Sequence, residues 1–215
     1  MPDATDKERG AAFMSAMTTE HFVMQTVIGV TISEAGQRAS IYMVTLSSSL
    51  VAMGFVAQSP QAFVPFVATV LPAVFVLGIF TILRLVDIAA ENLLAHIGIA
   101  RIRAYYRTIN ADAAEYFAAD RGRWPEQAAS EPSMHAGPLI GYLTTVATMI
   151  AAINATVAAA GVALLAHHLA ELAVMPALLA GIAAAAIFLL LFYRYQHYRT
   201  SDLVGNASPS KSSGS

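Results

Sequence analysis

Cysteine is absent from this chain. That excludes disulfides, thiolate metal sites and cysteine nucleophiles, and it leaves the redox compartment unspecified. Charge is also scarce. Asp, Glu, Lys and Arg make up 12% of the 215 residues, about half the share a soluble domain carries. The net charge of −2 gives no basic footprint for nucleic acid. Enzymatic signatures are missing too: there is no phosphate loop, no G-x-G-x-x-G, no H-E-x-x-H and no G-x-S-x-G. No carboxylate falls inside an apolar run, which argues against an intramembrane aspartyl protease or a carboxylate proton relay. The first residues mix acids and bases around no apolar core, unlike a secretory signal. The expectation is a non-enzyme with no cofactor and no metal.

What the chain has is hydrophobicity, 57% of its residues. Four charge-free segments, 40–57, 62–83, 138–166 and 172–193, are long enough to cross about 30 Å of hydrocarbon. The first is short and carries Ser47, Ser48 and Ser49. Gln58-Ser59-Pro60-Gln61 and residues 167–171 read as tight turns, so the four spans pair into two helical hairpins. The fold expected is an all-α integral membrane protein with the lipid bilayer as its first partner.

All 12 Lys and Arg lie before residue 40, between 84 and 123, or after 193. Positive residues stay cytoplasmic, so both termini and the central segment are placed on that side of a plasma membrane. Tyr193, Tyr195 and Tyr198 beside Arg194 and Arg199 fit an interfacial belt. The Ala-rich, Arg-over-Lys composition points to a bacterial inner membrane.

Past Leu83 the helical pattern continues. Leu85, Ile88, Asn92, Ala95, Ile99, Ile102 and Tyr106 alternate spacings of three and four, the seam of a coiled-coil-like stalk. Asn92 on that seam fixes register at some cost in stability. The stalk projects on the order of 35 Å beyond the bilayer. Its expected partner is the arm 18–39, with Thr18 as N-cap and Met24, Ile28, Ile32, Ala35 and Ala39 on one face. Residues 27–32 are β-branched enough to leave a strand open as the alternative. The seam closes either within one chain or between chains. The segmentation is then a flexible N-terminus 1–17, a long helical hairpin 18–109, a cytoplasmic short helix and linker 110–137, a second hairpin 138–199 and a disordered tail 200–215. Trp124, the single tryptophan, either anchors at the interface or fills the stalk core.

Within the spans, Asn154 must face protein or water rather than lipid. Thr145, Thr148 and Thr156 lie roughly opposite it, and Thr45, Ser48 and Ser49 form a similar stripe. These stripes either line an aqueous path or bond back to their own helices. The ladder Ala147, Ala151, Ala155 and Ala159 favours close packing. Pro72 removes a donor, leaves the Ala68 carbonyl without its usual partner and, with Gly78, marks a hinge or a static kink. His167, His168 and Glu171 would sit at an outer mouth.

Two functions compete at this stage. The leading one is a homo-oligomeric channel with an uncharged Ser/Thr/Asn-lined path and a stalk for assembly or gating. The alternative is a noncatalytic membrane scaffold or signalling component whose stalk docks a cytoplasmic protein.

Overall fold

A computed structural model of the chain describes residues 4–109, 112, 145–168 and 170–207. These residues form four helices and the turns beside them, with no strand among them. The four helices are α1 (Ala4–Val56), α2 (Pro60–Ile109), α3 (Val146–His168) and α4 (Val174–Ala207). Each contains a stretch long and apolar enough to cross a bilayer, which makes this a multi-pass membrane protein.

The helices begin and end where local chemistry allows. The Ser59 carbonyl accepts the Phe63 amide at 3.0 Å, and Pro60 sits first in α2, where its missing N–H costs nothing. Thr145 caps α3, its hydroxyl oxygen accepting the Thr148 amide at 3.2 Å. In the second turn Glu171 adopts a left-handed backbone, φ 51°, and the Leu172 amide reaches back to the Ala166 carbonyl at 3.2 Å.

Several expected boundaries move. Thr18 is not an N-cap: α1 already begins at Ala4, and the Thr18 hydroxyl donates to the Met14 carbonyl at 3.0 Å inside the helix. Good helix formers and the Asp6–Arg9 pair one turn apart carry the helix through 4–17, so that segment is not a separate tail. Residues 27–32 are helical, since they lie between two helical stretches and continue both. At the other end α4 runs to Ala207, seven residues past Thr200, where the tail was expected to begin. Residues 208–215, the linker 113–137 with Trp124 and the expected span start at 138 lie outside the described residues.

Helix α2 is the centre of the molecule and packs against all three others. Helices α1 and α2 run antiparallel, since Glu34 meets Arg84, Thr31 meets Asn92, Met24 meets Gly98 and Phe13 meets Tyr105. Helices α3 and α4 pack together, while α1 touches α3 only slightly and has no contact with α4. The core of Tyr42, Leu46, Val74, Ile82, Leu85, Ile150 and Ala151 lies where the two pairs meet. Helix α2 continues without a break through Pro65 and Pro72.

Candidate functional site

The most enclosed polar group is Asn154, at 0% exposure. Its Oδ1 accepts the Tyr42 hydroxyl at 3.2 Å, and its Nδ2 donates to the Phe75 carbonyl at 3.2 Å. One amide therefore ties α1, α2 and α3 together. Tyr42 is also fully buried. Gly78 leaves the space: a Cβ built there would overlap the Asn154 amide. Gly78 thus serves as a notch for the amide. The arrangement meets the rule that a polar group in hydrocarbon needs a protein partner.

The other candidate polar residues do not join this node. Thr45 donates to the Ile41 carbonyl at 2.8 Å, Ser49 to Thr45 at 2.8 Å and Thr156 to Ala152 at 3.1 Å, each one turn back along its own helix. Ser48 is exposed on the outer surface of α1. Thr145 and Thr148 share a 2.9 Å contact at the start of α3, and Gln196 of α4 donates to Thr145 at 3.3 Å. The Ala ladder is buried through Ala147, Ala151 and Ala155. At its end the Ala159 carbonyl lies where a Cβ on Gly181 would fall, so α3 and α4 approach at backbone distance.

At the second turn His167 Nδ1 donates to the Leu172 carbonyl at 2.8 Å, and the His167 and His168 rings meet edge-on with centroids 5.1 Å apart. His167 holds the turn closed. No group of His, Asp and Glu among the described residues could hold a metal.

Along α2, Leu85, Ile88, Ala95, Ile99 and Ile102 are buried, and Asn92 and Tyr106 are half-buried. Asn92 Nδ2 donates to the Thr31 hydroxyl of α1 at 3.0 Å. This polar bridge would be left unpaired if the helices slid by a turn.

A collar of ion pairs lies one level below the Asn154 node. Arg84 grips Glu34 with two bonds, Nε to Oε1 at 3.0 Å and Nη2 to Oε2 at 2.9 Å, and reaches Glu91 at 2.8 Å. Arg38 adds a third bond to Glu34 at 2.8 Å. Asp87 pairs with Arg199 of α4 at 3.1 Å. Glu91 thus pairs within α2, whereas Asp87 bridges to α4. Hydrogen bonds from Arg84 and then Arg38 hold the Glu34 carboxyl down to about 2. Donating to Glu34 and then to Glu91 raises the Arg84 guanidinium above its ordinary range. Tyr42 lies eight residues beyond Glu34, about 12 Å along the helix. The collar thus places α1, α2 and α4 at a common height.

Sequence reasoning gave Glu34 and Gln196 no role, read Arg199 as part of an interfacial belt and not as the partner of Asp87, and did not name Tyr42 as the partner of Asn154. The signal for Tyr42 was its place on the α1 face running through Ala35 and Ala39. For Glu34, Arg199 and Gln196 no local pattern names the partner, which lies 50 or more residues away. Comparison with known protein families, curated proteins and solved structures finds no match for this chain.

Proposed function

We propose that the protein is a noncatalytic membrane scaffold. Its first two helices form a hairpin whose arms, 4–39 and 84–109, stand clear of the bilayer on the cytoplasmic side as a docking stalk. One observation carries this reading. The arm of α1 leaves Phe22, Val23, Val30 and Ile32 between 48% and 63% exposed, on a part of the helix that lies beyond the ion-pair collar. In lipid such residues need no explanation. In water so much exposed apolar side chain on one arm marks an interaction surface. Burial of the seam residues against the α1 arm supports a stalk that closes within one chain and keeps its outer face free.

The absence of cysteine makes the test clean, because single-cysteine variants label at one place only. Val30→Cys should resist a maleimide in native membranes with cytosol present, and react fully once the protein is purified. Equal reactivity in both states refutes a docked stalk.

A homo-oligomeric channel is the second reading. It is favoured by the outward placement of Ser48 and Thr156, which copies of the chain could bring together around a path. Proteoliposomes that conduct under voltage steps, and lose conductance with Thr156→Val, would support it over the scaffold.

A further inference from the structure

A cleft of about 610 Å³ opens between α2, α3 and α4. Its walls are Val67 and Leu71 of α2, Gly161 and Leu165 of α3, and Ile187 and Leu191 of α4, all apolar. The rings of Phe75 and Phe188, with centroids 5.6 Å apart, line its inner end. His168 stands at the outer rim beside the second turn. The cleft lies entirely within the apolar stretches that cross the bilayer.

We infer that this cleft is a binding site for one acyl chain of a bilayer phospholipid, taken from the leaflet on the side of the two short turns. Three physical arguments select that occupant. Water does not settle in a space whose lining is almost entirely carbon, and the medium at that depth is lipid tail. The α2 wall from Phe63 to Phe75 covers thirteen residues, about 18 Å of helix from first to last, close to the depth of one leaflet in hydrocarbon about 30 Å thick. The volume lies inside the roughly 300–1,000 Å³ of small-molecule sites, so the cleft takes a single molecule and not a second helix of 10–12 Å diameter. Walls from three helices and the Phe75–Phe188 ring contact at one end distinguish a held chain from the lipids that exchange along the open faces of α1 and α4. The headgroup of such a lipid falls near His168, the polar residue of the rim.

The inference rests on the membrane topology proposed above, and co-flotation of the protein with liposomes checks that topology separately. The test uses the full chain in phosphatidylcholine nanodiscs containing a phosphatidylcholine with a diazirine on one acyl chain. Irradiation should place adducts on the segments 63–75 and 157–165 several-fold more often than on the exposed Leu178 and Leu179 of α4. Native mass spectrometry should show one phospholipid retained per chain. Gly161→Phe should abolish both signals. A Cβ at Gly161 meets nothing within 4 Å, so the new ring fills the cleft without displacing packed atoms. Val64→Trp, at a half-exposed cleft position, gives an independent block should the first variant fold poorly. Adducts spread evenly over all lipid-facing residues would overturn the inference. So would a cleft shielded from label and cross-linked to a second copy of the chain, or lipid retention unchanged in both variants.

Discussion

Replacing Asn154 with Leu should cost more than the hydrogen bonds it removes. The two bonds, each 3.2 Å long, join a fully buried amide to the Tyr42 hydroxyl and the Phe75 carbonyl. Interhelical hydrogen bonds in membranes average about 0.6 kcal/mol and reach about 1.7 kcal/mol. Leucine conserves most of the volume but strands the Tyr42 hydroxyl in an apolar surround, which costs about 1–3 kcal/mol. The Phe75 carbonyl is not stranded, because its place inside α2 gives it the Ile79 amide as an intrahelical donor. We therefore expect Asn154→Leu to destabilise by about 2–3 kcal/mol. Tyr42→Phe strands Asn154 Oδ1 in turn and should cost about 1–2 kcal/mol. The double variant leaves neither group unpaired, so its cost should fall short of the sum by about 1–2 kcal/mol. Equilibrium unfolding of all four proteins in mixed micelles measures this cycle. Energies that add to within about 0.5 kcal/mol would refute the reasoning, because residues in one hydrogen-bond network must couple. Gly78→Ala supplies a companion cycle: its methyl overlaps the amide, so it should destabilise wild type and be tolerated beside Asn154→Ala.

Three further outcomes follow from the packing and the charges. Gly181→Ala should cost about 1–3 kcal/mol, since its methyl meets the Ala159 backbone, which cannot move alone. Gly98→Ala should cost less, because there the obstruction is the far end of the flexible Met24 side chain; thermal unfolding of the two variants ranks them. Glu34 has a folded pKa of about 2, below its ordinary 4.5, so its pairing stabilises fully above pH 4.5 and is lost as pH falls toward 2. The unfolding midpoint should therefore drop across that window, and Glu34→Gln should flatten the drop. Single cysteines at Gln58 and Ala170 should react with an impermeant maleimide on intact cells and Thr108→Cys only after permeabilisation; the reverse pattern would overturn the positive-inside assignment.

Much of this protein is written in local sequence. Membrane spans are legible because each is a run without charge, and lipid cannot hydrate a charge wherever it falls in the run. The α2 seam from Leu85 to Tyr106 is legible because burial against one neighbour repeats every three and four residues. Helix ends were harder to read. Residues 4–17 mix charges with alanine as both a solvated helix and a loose tail do, and only the continuity of α1 distinguishes them. The need for a partner at Asn154 also follows from sequence, since an amide cannot sit unpaired in hydrocarbon. Which partner it finds does not. Tyr42 lies 112 residues away and the Phe75 carbonyl 79, and Gly78 acquires its meaning as a notch only when α3 is laid against α2. Likewise Asp87 stands near Arg84 in sequence yet pairs with Arg199, 112 residues on, because α4 returns to the same height. Local physics sets what each residue requires, and the crossing of the helices decides which distant atom supplies it.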